Sequence, residues 1–60
     1  MTKFTDKFAF GQRVRVVRHS HGWPRNGLVG TITEISDRRC EVLVDGIAYE
    51  IEHPRDLRPV

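Results

Sequence analysis

Cys40-Glu-Val-Leu-Val-Asp-Gly-Ile-Ala-Tyr-Glu-Ile51 reads as two short strands joined at Asp45-Gly46. An Asp-Gly pair between apolar runs marks a tight hairpin, because the type I′ turn requires positive φ at both central residues and its twist matches that of the strands it joins. The turn fixes a register. Val44 faces Ile47, Val42 faces Tyr49 and Cys40 faces Ile51 on the core side, while Leu43 with Ala48 and Glu41 with Glu50 lie on the other. Carboxylates directly opposed are destabilising, so an arginine from a neighbouring strand is expected between Glu41 and Glu50.

Working outward, Arg13 to Arg18 is a strand with Val14 and Val16 on one side and Arg13 and Arg15 on the other, which makes its outer face a basic stripe. Leu28 to Ile35 is a second strand. Val29, Ile32 and Ile35 break the period of two there, and a bulge or sharp coil near Gly30 would reconcile them. Between the two strands, His19-Ser-His-Gly-Trp-Pro-Arg-Asn-Gly27 holds turn formers and no apolar pair, so it is a long exposed loop. Ser36-Asp-Arg-Arg39 is a further turn. His53-Pro-Arg-Asp56 reads as one turn of 3₁₀ helix, after which Leu57 and Val60 return to the core. The chain is thus expected to be all-β, a small five-stranded barrel over residues 11–60. Residues 1–10 form a partly disordered arm, with Met1 to Asp6 loose and Phe8 or Phe10 capping the barrel. Phe4 and Phe8 would share a helical face, Phe8 and Phe10 a strand face, and the arm is too short to decide between them.

Sixty residues allow one thin core, burying only about 60% of the surface of the unfolded chain. Cys40 is the single cysteine, so no disulfide framework exists, and on a Val-rich strand it reads as a small buried apolar residue. A lone thiol fits a reducing compartment. No apolar run approaches a membrane span, and Met-Thr-Lys-Phe-Thr-Asp-Lys at the start lacks the apolar core of a signal peptide, so a cytoplasmic protein without membrane insertion is expected. Ten Lys and Arg stand against eight Asp and Glu. Cations dominate from Arg13 to Arg25 and acids gather at Glu41, Asp45, Glu50 and Glu52, which suggests a molecule with a basic and an acidic side.

Five short strands, a long first loop, a tight distal hairpin and a 3₁₀ turn before the last strand resemble the SH3-like barrel. Within that architecture, Gly11-Gln-Arg-Val-Arg-Val16 followed by Asn26-Gly-Leu-Val-Gly-Thr-Ile-Thr-Glu-Ile35 is similar to the KOW motif of ribosomal and transcription-elongation proteins. Val14-Arg-Val-Val-Arg18, Trp23, Val29-Gly-Thr-Ile32 and Asp56-Leu57 resemble the family of small stromal barrel proteins of photosystem I. The second resemblance implies a protein that docks onto a larger assembly without performing chemistry, with Arg15, Arg18 and the loop around Trp23 making the contacts.

Candidate chemistry is sparse. His19-x-His21 could chelate a metal in extended backbone, but only His53 could serve as a third such ligand and a zinc site needs three or four, so no metal or other cofactor is expected. Cys40 with a histidine could pair as nucleophile and base, which its burial argues against. A small barrel of the type II dihydrofolate reductase kind works through a Val-Gln-Ile-Tyr strand, whereas this chain has Ala48-Tyr-Glu-Ile51. No catalytic residue is assigned. Trp23, between Gly22 and Pro24 and flanked by Arg18 and Arg25, either anchors a partner or folds back over the core. The expectation is a non-enzymatic, monomeric module that binds a protein partner or multi-subunit assembly through Arg13, Arg15, Arg18, His19, His21, Trp23 and Arg25. Nucleic acid is the alternative ligand for the same surface.

Overall fold

The computed structural model describes residues 2–60. The strands are β1 (Arg13–Val16), β2 (Leu28–Ile35), β3 (Cys40–Val44), β4 (Ile47–Ile51) and β5 (Leu57–Pro59), preceded by a helix α1 (Phe4–Lys7), with a 3₁₀ turn at Pro54–Asp56 directly before β5. All neighbours are antiparallel, and the sheet order is β4-β3-β2-β1-β5, so the last strand closes against the first. The fold is therefore all-β, as the sequence pattern predicts. Among the described residues, no helix is long and apolar enough to cross a membrane.

The hairpin carries the expected register, with Val44 opposite Ile47, Val42 opposite Tyr49 and Cys40 opposite Ile51. Asp45 and Gly46 both have positive φ, 50° and 82°, the signature of the type I′ turn. Val14 and Val16 alternate inward with Arg13 and Arg15 outward. With Ile32, Cys40, Val42, Val44, Ile51 and Leu57, the two valines make one buried core. Removing such side chains from water at roughly 25 cal/mol per Å² is the main force holding the sheet curled.

Several expectations about the core need correction. Ile47 pairs with Val44 but is 56% exposed, because it sits beside the hairpin turn where no strand covers it. Val60 lies beyond β5 and is likewise exposed. The irregularity in β2 falls between Ile32 and Glu34, not at Gly30, whose pairing with Val14 is regular. Gly30 is needed for another reason. A Cβ there would run into the Leu43 carbonyl oxygen and would lie 2.6 Å from Val44 Cγ2 and 2.9 Å from Val42 Cγ1, so only glycine lets β2 curl this tightly against β3.

The arm is also more ordered than its composition suggests. Phe4 is fully buried and Phe8 nearly so, while Phe10 is 72% exposed and caps nothing. Phe4 lies in the helix and Phe8 is its extended C-cap residue, one turn on, whose N–H donates to the Phe4 carbonyl at 2.8 Å, and both join the core. The helix is tied to the β2–β3 turn: the Phe4 N–H donates to the Asp37 carbonyl at 3.2 Å, the Thr5 hydroxyl to the Asp37 carboxylate at 2.8 Å, and Lys3 Nζ lies 3.7 Å from that carboxylate. The Asp6 carboxylate accepts the Lys3 N–H at 3.0 Å, satisfying one donor that would be orphaned at the start of the helix. Of the segment expected to be loose, Met1 lies outside the described residues, whereas Phe4–Asp6 belongs to the helix.

Candidate functional site

The loop after β1 is held by its backbone at both edges of the sheet. The Val17 N–H donates to the Asp56 carbonyl at 2.7 Å, next to β5, and the Ser20 N–H to the Glu50 carbonyl at 3.3 Å on β4. His19 and Gly22 exchange N–H···O bonds of 2.9 and 3.1 Å, closing a tight turn, and the His19 Nδ1 accepts the His21 N–H at 3.0 Å. Pro24 to Gly27 forms a second turn through a 3.2 Å bond, with Gly27 at φ 73°. These turns fix the backbone at His19 to Gly22 and at Pro24 to Gly27, on either side of Trp23.

Trp23 stands out from this frame, 68% exposed, with the Arg18 guanidinium 4.8 Å from its ring centroid. That is a cation–π contact, worth on the order of 0.5–1 kcal/mol at an exposed site. With the indole 68% exposed and outside the core cluster, Trp23 does not roof the core. His19 turns the other way: its ring packs 4.6 Å from Tyr49 on β4, and His21 lies edge-on to it at 6.0 Å. Among the described residues, no three His, Cys, Asp or Glu side chains are grouped to hold a metal. Arg15 donates to the Asn26 carbonyl at 3.0 Å, tying the stripe to the base of the loop. Arg13, His21 and Arg25 are exposed. The structure thus pairs Arg18 with Trp23 and His19 with His21 and Tyr49, and ties Arg15 to Asn26 at the base of the loop, while Arg13 lies on β1 and Arg25 in the Pro24 to Gly27 turn.

Two residues of this surface escape a reading of β1 and the loop alone. Arg58 of β5 sits directly opposite Arg15, and its guanidinium donates to the Leu57 carbonyl at 3.0 Å. Tyr49 is the ring on which His19 rests. Pairing the Leu57-Arg58-Pro59 alternation with β1 would have found the first. The ion pairs among the described residues are Lys3–Asp37 and Arg39–Glu50, so Arg13, Arg15, Arg18, Arg25 and Arg58 meet no carboxylate there.

Acids occupy the other half of the strand order. Glu34 pairs with Glu41 and Glu41 with Glu50, a row across β2, β3 and β4. The arginine that relieves this row comes from the β2–β3 turn rather than from a neighbouring strand: Arg39 Nε donates to Glu50 at 3.1 Å. That hydrogen bond, and then the Glu50 charge, raise the Arg39 pKa further. The Thr33 hydroxyl donates to Glu41 at 3.2 Å. Beside the row lies an open groove of about 760 Å³, with Phe10 and Ile35 among its lining residues. Cys40 also reaches it. Burial, with a smaller push from Glu41, raises the Cys40 thiol to about 11, so at neutral pH it is neutral and a poor nucleophile.

No protein-family profile, curated protein or solved structure matches this chain.

Proposed function

We propose that this chain is a non-enzymatic docking module that binds an acidic protein surface through Trp23 and the arginines around it. The observation that carries the reading is the outward indole braced by Arg18 on a loop fastened at both sheet edges. Large rigid aromatics beside arginine are the commonest anchors of protein interfaces. Guanidinium groups free of carboxylates favour an anionic partner that can be gripped by their planar forks. The strand order, the distal hairpin and the 3₁₀ turn before β5 support kinship with SH3-like barrels. The neutral, buried thiol of Cys40 supports a reducing, cytoplasmic setting.

A nucleic-acid ligand has one observation in its favour, the Arg15–Arg58 pair, since like charges directly opposed on a sheet are destabilising unless an anion lies between them. One titration separates the two. Trp23 is the only tryptophan, so its fluorescence reports the loop directly. Poly-glutamate should shift the emission, and random-sequence RNA or DNA should compete weakly. If nucleic acid binds instead, with a log–log salt slope near −0.9 per phosphate contact on duplex DNA, the partner class is wrong. No response to either probe overturns the docking surface itself.

A further inference from the structure

The groove and the loop of this chain have complementary chemistry. In the loop, Trp23 projects with Arg18 against its face, and among the described residues Arg18 makes no ion pair, although Glu52 and Asp56 line the same small cleft. Elsewhere, the open groove beside Phe10 and Ile35 has a volume of about 760 Å³, room for an aromatic side chain. Glu34, Glu41 and Glu50 border it, offset among the described lining residues by Arg39 alone. Phe10 is 72% exposed even though Phe4 and Phe8 of the same arm are buried. Phe10 thus leaves most of its apolar surface open to solvent.

We propose that this chain associates with a second copy of itself head to tail, the Trp23–Arg18 pair of one copy entering the Phe10–Ile35 groove of the next. The occupant follows from charge complementarity, because the flanking arginines meet the glutamate row that surrounds the groove. Such an interface is heterologous, so the free groove and free loop at the two ends of a pair can each accept another copy. A standard interface takes roughly 800 Å² from each partner, close to a fifth of this chain's 4283 Å² surface. A single aromatic entering an open groove covers less than that, which places the association in the weak, concentration-dependent class. The inference shares Trp23 with the docking reading but needs no other partner, and self-association would compete with docking.

Sedimentation velocity on the full chain over a concentration series tests this. At about 0.1 M salt the average mass should climb from 7.0 kDa towards multiples of it. Near 1 M salt, where the Debye length falls from about 10 to about 3 Å, the apparent dissociation constant should weaken roughly ten-fold. Phe10→Ser, Glu34→Arg and Arg18→Glu change exposed residues, and each should leave the mass at that of one chain. An equimolar mixture of Arg18→Glu and Glu34→Arg should associate again, since each variant supplies the charge the other now needs. A single-chain mass for the unaltered protein throughout the low-salt series, or association that the groove variants leave intact, overturns the proposal. Glu34→Arg and Phe10→Ser keep the loop, so their Trp23 response to poly-glutamate reads the docking surface separately from self-association.

Discussion

Two segments flank β1, and each is fastened to a part of the chain distant in sequence. The helix Phe4–Lys7 holds the β2–β3 turn through Asp37, and the loop after Val16 holds Asp56 and Glu50. Both carry aromatics among polar residues, yet they use them oppositely. Phe4 and Phe8 have no polar side-chain atom to satisfy and lie one turn apart at the two ends of the helix, so turning them inward costs nothing but chain entropy. Trp23 has an indole N–H that burial would strand without a partner, two turns that fix its backbone outward, and a guanidinium to cover its face. The thin core thus takes Phe4 and Phe8, while Trp23 stays outside and Phe10, past the helix, is left exposed as well.

The sharpest way to break that contrast is Phe4→Ala. Truncating a fully buried phenylalanine costs roughly 3–5 kcal/mol, as much as a domain of this size has, so the variant should be largely unfolded at 25 °C by circular dichroism. Native-like melting would mean that the arm only rests on the sheet. Next comes the sheet between the two segments. Gly30→Val should lose roughly 1–3 kcal/mol by overpacking against Val42, Val44 and the Leu43 carbonyl, despite valine's better strand propensity. A denaturant midpoint equal to the parent's would show that β2 does not press on β3 there.

A smaller effect concerns how well the core that includes the arm excludes water. The Cys40 thiol is raised from 9.0 to about 11 in the folded chain. The unfolded state therefore loses this proton first. The stabilisation it represents is complete below pH 9 and disappears as pH rises from 9 through 11. Urea midpoints across that window should fall more steeply for the parent than for Cys40→Ala, and parallel curves would mean that the thiol is open to solvent. The smallest expected change is that of Trp23→Ala, which should cost no more than about 1 kcal/mol, the worth of the exposed contact with Arg18. A loss of several kcal/mol would place the indole in the core after all and erase the contrast.

The hairpin was legible because a two-residue Asp-Gly turn leaves one register, and every pair from Cys40–Ile51 to Val44–Ile47 follows from it. The alternation in β1 was equally plain. What could not be read depended on distance in sequence. Phe4, Phe8 and Phe10 satisfy both a helical and a strand period, and the partner that decides, Asp37, lies beyond two strands. The slip in β2 falls at Thr33 rather than Gly30 because Gly30 answers to a cross-strand approach, which periodicity does not record. Of the candidate site, the arginine stripe and the exposed loop were visible as composition. The contact of Arg18 with Trp23 depends on how the loop folds, and the opposition of Arg58 to Arg15 required the closing of β5 on β1.

That closing pair also sets a timetable. Val16 has its strand neighbour at Leu57 and Val14 at Pro59, more than forty positions later, while the helix waits for Asp37. During synthesis the hairpin of β3 and β4 can form as soon as it emerges, but β1 stays without its second neighbour until residues 57–59 are free. Folding dominated by such remote pairings is slow for its size, typically milliseconds to seconds. A chain stopped before Leu57 would have four strands made and an edge of β1 open along its whole length.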